Sequence, residues 1–407
     1  MSKNFKEVPG GITAAPGFLA SGVHCGIRKN RDKRDLALIV ADRECAAAAV
    51  YTTNKVKAAP LYLTMENLKN GRARAILTNS GNANACAPGG YEAAKTTVAA
   101  AAKAAGFKPE DFIVNSTGVI GQSLPVDAMT AAMPELAKNL SPDGCAAAEA
   151  IMTTDTFAKT FAVQFTIGGK AVTLGGMAKG SGMIHPNMAT MLAFLTTDLS
   201  IAPDLLQEAL RASAACTYNH ISVDGDTSTN DMTAILASGA ANNPLINTKN
   251  DDYFIFLDAL NAVNLKLAKD IARDGEGATK LITCRVEGAA DEETAVQLAK
   301  SVIASSLVKA MVFGADANVG RVLCAMGYAN ADFNPDTVEI FFKSAAGEVT
   351  VCQNGLGLTF DEGLALKILQ EKEITIGISL HMGTQSAEAY GCDLTYDYVK
   401  INGDYRT

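Results

Sequence analysis

Apolar positions along this chain fall into two recurring patterns. Short continuous apolar runs at 35–41, 74–78, 112–115, 191–195 and 281–286 predict strands buried on both faces. Between them lie stretches in which apolar residues return every three or four positions. These predict helices over 91–105, from Pro203-Asp204 to about 216, over 252–274, over about 292–312, and over 361–370. Gly106 and Gly275 stand at the stops of two of them. A hairpin is expected for 338–343 with 349–352, and further strands for 374–381 and 394–401. The glycine-rich 175–182 stretch is expected to be a loop. This alternation predicts an α/β chain rather than an all-β protein or a helical bundle. A tidy β-α-β-β-α-β-β succession begins where a glycine-rich loop ends. The expected division is therefore a first domain over 1–280 and a smaller α/β domain over 281–407.

Composition narrows the function classes. With 407 residues, 48% hydrophobic and 19% charged, the chain is an ordinary globular one with ample core. A net charge of −8 without any basic block argues against nucleic acid or an anionic membrane as partner. No apolar h-region opens the chain, and no run reaches the roughly 18 residues that suggest a membrane span. Nine scattered cysteines with no Cys-x-x-Cys pair fit reduced thiols in a cytoplasm. His24, His185, His220 and His381 show no metal-site spacing.

Three stretches carry candidate chemistry. In the first, Gly175-Gly176-Met177-Ala178-Lys179-Gly180-Ser181 leads on to Ala189, Thr190 and an apolar run. A bond after a small residue, followed by a hydroxyl anchored at the start of a core strand, suits self-cleavage. The cut would make Thr190 an N-terminal nucleophile carrying its own amine base. In the second, Thr117-Gly118 closes a predicted strand, where a hydroxyl and a backbone N–H can aim at one oxyanion. In the third, Glu276 stands between Gly275 and Gly277, as an exposed carboxylate suited to an ammonium ligand. The lysine at 179 precedes the second glycine, and Gly314 and Gly320 are spaced by five residues, so neither stretch forms a phosphate loop. No cofactor is expected.

Together these segments resemble the bifunctional glutamate N-acetyltransferase/ornithine acetyltransferase family of arginine biosynthesis. The resemblance runs from Pro9-Gly10-Gly11 through 78–86, 115–121, 152–156 and 179–192, then 223–231, 274–280 and the tail 396–407. Val319 stands where tryptophan is expected, Ala158 where proline is usual and Met232 where threonine is common. None of these departures removes a reactive group.

The resemblance implies an α/β sandwich like that of N-terminal-nucleophile hydrolases. It also implies autolysis between Ala189 and Thr190, with the two fragments assembled as two of each. Thr190 would be the nucleophile, and Thr117 and Gly118 the oxyanion hole. Thr153, Lys179, Thr190, Glu276, Asn402 and Thr407 would contact substrate, the tail folding back to the site. N-acetylornithine would be the donor and glutamate the acceptor, with acetyl-CoA an open second donor. Which substrate group Lys179 and Glu276 each meet is open at this level. Two rival readings are a self-processing amidohydrolase or aminopeptidase on the same fold, and a non-catalytic small-molecule-binding protein with Thr190 internal.

Overall fold

In the computed structural model, residues 5–185 and 191–403 are described; Ala189, Thr190 and Thr407 lie outside them. The strand Leu192–Thr197 shows why its sequence is apolar without alternation. Leu192 and Phe194 enter one buried cluster, Ala193 and Leu195 another on the opposite face of the sheet. This strand lies parallel to Met232–Ala237 and antiparallel to Lys170–Lys179. Among the described residues the first sheet has nine strands. Its path runs Lys6–Glu7, Lys159–Ile167, Lys170–Lys179, Leu192–Thr197, Met232–Ala237, Leu36–Tyr51, Arg72–Asn79 and Phe112–Ser116, with Phe18–Val23 paired to Leu36–Tyr51 off that path.

Helices cover both faces, which makes this part an α/β sandwich. On one face lie Pro203–Cys216 and Asp251–Arg273, the latter burying Phe256, Leu260, Val263, Leu267 and Ile271 along one stripe. The Asn250 side chain caps that helix by accepting the Tyr253 N–H at 3.1 Å, and Asp251 and Asp252 complement its positive end. On the other face the turn Gly11–Thr13 and the helices Ala59–Asn67 and Cys145–Ala150 seal the second cluster.

A seven-stranded sheet follows, in the order Leu356–Gly357, Gly347–Gln353, Glu339–Ser344, Glu373–Ser379, Leu281–Ala289, Gln385–Cys392 and Ile221–Ser222. Its edge strand Ile221–Ser222 comes from the middle of the chain, tying the two sheets together. No single helix among the described residues is long and apolar enough to cross a membrane.

Three expectations need correction, and one strand was absent from them. The glycine-rich 175–179 stretch is not loop but the end of the buried strand Lys170–Lys179. Its glycines serve close packing, since a Cβ on Gly175 would fall 1.9 Å from the Gly11 carbonyl oxygen. The expected long helix 292–312 is two, Glu292–Ala304 and Ser306–Phe313, bent by 58° where Ser305 takes extended backbone and caps the second with its hydroxyl. The expected strand 394–401 is instead covered largely by the helix Tyr396–Gly403. Tyr396 and Val399 there are solvent-exposed, so its alternating apolar residues mark no sheet face. The strand Gln385–Cys392 was not anticipated, because its Gln-Ser-Ala-Glu-Ala opening lacks an apolar run.

Candidate active site

Strand register brings the site together. Lys179 pairs with Leu192, and Leu192 with Met232, so one sheet end presents Lys179 beside the chain that enters at Met191. Thr117 and Gly118 come from the turn after Phe112–Ser116. Asn230 staples that turn to the same end. Its amide donates to the carbonyls of Ala83 at 2.6 Å and Ser116 at 2.7 Å, while Asn115 donates to its carbonyl at 2.9 Å. Gly118 has φ +132°, and a Cβ there would fall 2.3 Å from the Gly81 carbonyl carbon, so only glycine fits.

The ammonium of Lys179 donates to Thr117 Oγ1 at 3.1 Å, and both side chains are buried. An oxygen that accepts from a cation becomes a stronger donor through its own proton, as an oxyanion partner should be. Burial lowers the Lys179 pKa and Lys159 pushes the same way, while Asp155, Asp231 and Glu276 oppose them. Asp231, fully buried just ahead of Met232–Ala237, has its pKa raised well above the usual carboxylate range by burial, with Ser228 and Lys179 opposing.

Beneath Lys179 lies a buried three-charge cluster. Lys159 Nζ, 0% exposed, sits 2.7 Å from Asp155 Oδ1 and 2.5 Å from Asp274 Oδ2. Asp155 also accepts the N–H groups of Gly180 at 2.7 Å and Thr153 at 2.9 Å, and Asp274 accepts that of Thr156 at 3.0 Å. One lysine thus fixes the 153–156 turn, the exit of the Lys179 strand and the end of helix Asp251–Arg273. Burial pushes the Asp155 carboxyl up, but Lys159, Lys179 and the Gly180 N–H outweigh it and hold the pKa down at about 2.

That helix end delivers Glu276, which is buried and not the exposed carboxylate expected from its flanking glycines. Its Oε1 accepts the Thr154 hydroxyl and its Oε2 the Asn402 amide, each at 2.6 Å. Thr117, Gly118, Thr153, Thr154, Lys179, Asn230, Glu276 and Asn402 all line a single cavity of about 120 Å³. The approach to Ala189 is also held. Asp224 accepts the N–H groups of Met183 at 2.6 Å and Ile184 at 2.9 Å, and Thr227 donates to the His185 carbonyl at 2.8 Å.

The sequence profile of the ArgJ family matches residues 19–407. The chain belongs to the ArgJ family. It is 53% identical over 401 residues to the arginine biosynthesis bifunctional protein ArgJ of Symbiobacterium thermophilum, covering 98% of this chain and 99% of that one. With ArgJ 1 of Clostridium acetobutylicum it shares 51% identity, covering 97% of each chain. Among solved structures, the ornithine acetyltransferase of Mycobacterium tuberculosis complexed with ornithine is 38% identical, with a TM-score of 0.42. That match spans 46% of this chain and all of the other.

Six of the residues singled out from sequence, Thr117, Gly118, Thr153, Lys179, Glu276 and Asn402, meet around one cavity of this ArgJ chain. Sequence reasoning passed over Thr154, Asn230 and the Asp155–Lys159–Asp274 cluster as site-shaping groups. The Asp155-to-Lys159 spacing gave a partial signal, but Thr156 and Phe157 between them are exposed, and only the fold buries the two charged ends with Asp274.

Proposed function

We propose that the protein moves the acetyl group of N-acetylornithine to glutamate through an acetyl–Thr190 intermediate, releasing ornithine and then N-acetylglutamate. One observation carries this reading. A buried ammonium bonded to a hydroxyl, Lys179 on Thr117, faces a carboxylate, Glu276, across a cavity at the sheet end where the chain enters at Met191. A donor bearing a carboxylate, an acetamide and an ammonium matches that arrangement, with Lys179 meeting the carboxylate and Glu276 the ammonium. Membership of ArgJ, whose relatives are named as bifunctional arginine biosynthesis proteins, supports it.

In this mechanism, cleavage after Ala189 frees the Thr190 amine. An α-amine titrates near 7.7–8.0 and is therefore partly neutral at cytoplasmic pH. It takes the Thr190 hydroxyl proton as Oγ attacks the acetyl carbonyl. Thr117 Oγ1–H and the Gly118 N–H stabilise the oxyanion, the C–N bond breaks, and the proton passes to the departing ornithine amine. The glutamate amine then attacks the ester, its proton goes to the same base, and that base returns the proton to Thr190 Oγ as it leaves, restoring the hydroxyl. No cofactor takes part. We assign the reaction to the cytoplasm and the working form to two copies of each fragment.

The direct test is an assay with purified protein, acetylornithine and glutamate, expected to give equal ornithine and acetylglutamate with ping-pong kinetics. Ornithine released without acetylglutamate would make the protein a hydrolase instead. With acetyl-CoA as donor, kcat/KM is expected to fall more than tenfold below the acetylornithine value; a smaller gap would make both donors physiological. Thr117→Ala is expected to lower turnover by about 10²–10³-fold with little change in acetylornithine affinity, since the hydroxyl acts mainly on the transition state. Unchanged turnover would reduce Thr117 to a turn residue.

A further inference from the structure

The two half-reactions of this transfer make opposite demands on one pocket. The donor carries a side-chain ammonium where the acceptor glutamate carries a side-chain carboxylate. A fixed negative group at that position favours the first and opposes the second. Glu276 is such a group, and the structure shows what fixes it.

A hydroxyl has one proton to give. Thr154 gives its proton to Glu276 Oε1 at 2.6 Å, so in its 2.6 Å contact with Ser181 Oγ it must accept. The protons therefore run in one direction, Ser181 to Thr154 to Glu276, each link polarising the next. Ser181 is 1% exposed, and its own carbonyl accepts the Glu276 N–H at 2.8 Å, which closes the link onto the backbone. From the other side Asn402 donates to Oε2. Below, Gly182 leaves the space the carboxylate occupies, since a Cβ there would fall 2.3 Å from Oε2. Thr154 and Asn402 each donate to a different oxygen of the carboxylate, so both of its ends are held in place.

We propose that Thr154, backed by Ser181, is the positioning residue that makes Glu276 a reader of the donor ammonium, and so sets donor specificity without entering the acetyl chemistry. This rests on the acetyl-transfer reading given above. Glu276 and Asn402 touch the substrate; Thr154 and Ser181 act through Glu276.

The test compares N-acetylornithine with N-acetylnorvaline, which keeps the acetamide, the α-carboxylate and the carbon chain but lacks the ammonium. Both are assayed as donors to glutamate with the wild type, Thr154→Val and Thr154→Ser. The wild type is expected to prefer acetylornithine by at least 100-fold in kcat/KM. Thr154→Val is expected to shrink that preference at least tenfold by losing acetylornithine turnover, with acetylnorvaline within twofold of wild type and the glutamate KM unchanged or lower. Thr154→Ser, which keeps the hydroxyl, is expected to restore the preference to within threefold. An equal loss with both donors, or an unchanged preference, would overturn the proposal. A wild type that passes acetyl from neither donor to glutamate would instead remove the acetyl-transfer reading, and this inference with it.

Discussion

Thr190→Ala is expected to yield one uncleaved chain of 407 residues with no measurable acetyl transfer. Two losses coincide in this substitution. The hydroxyl that would attack the Ala189 carbonyl is gone, so no fragments of 1–189 and 190–407 form. The nucleophile that would carry the acetyl group is gone as well, and without cleavage the amine base stays locked in a peptide bond. Denaturing electrophoresis reads the first effect and the glutamate assay the second. Thr190→Ser separates them, because it keeps a hydroxyl but drops the branch that stiffens χ1. It is expected to cleave, sequencing of the new fragment reading Ser-Met-Leu-Ala-Phe, and to retain reduced turnover. Two bands from Thr190→Ala would exclude Thr190 from the cleavage, and full activity in its intact chain would exclude it from the acetyl transfer.

Lys159→Met is expected to cost about 3–5 kcal/mol of stability, the range for removing one partner of a buried ion pair. The methionine fills the space, but Asp155 and Asp274 then share a buried site without their common cation. Thermal or denaturant unfolding at neutral pH measures the loss. The pH dependence offers a second check. The Asp155 pKa is held near 2 in the folded protein, below the ordinary value of about 3.9, so its contribution is present above about pH 4. That contribution fades as pH falls toward 2. Without Lys159 the folded pKa climbs back, and the rise in stability between pH 2 and 4 should shrink. A variant as stable as the wild type, with the same acid-side rise, would show that the cluster does not hold these turns.

Much of this was legible in residue order because local physics and fold agreed. The helix Asp251–Arg273 was expected over 252–274 from its apolar periodicity and the Gly275 stop, and it lies within one residue of those bounds. Thr117-Gly118 was visible as a hydroxyl beside a glycine at a strand end. The failures share a cause, which is that partners distant in the chain decided the outcome. Gly175 reads as a loop residue because the Gly11 carbonyl, whose close approach requires it, lies far off in sequence. Gln385–Cys392 reads as polar and irregular, yet Leu281–Ala289 and Ile221–Ser222 recruit it as an interior strand. Thr154 differs from Thr153 by one position, and only the placement of Glu276, 122 residues later, distinguishes them.

The strand order of the first sheet has a bearing on what a cut after Ala189 can release. Leu192–Thr197 and Met232–Ala237 are wedged between Lys170–Lys179 on one side and Leu36–Tyr51 on the other. The piece ending at 189 therefore supplies both outer wings of the sheet, and the piece beginning at 190 supplies its middle. Neither can dissociate without stripping backbone hydrogen bonds along two full strand edges at once. Dilution, which separates ordinary subunits, should leave these two halves joined. Such a cut would alter chain connectivity while the interleaved sheet kept the halves together.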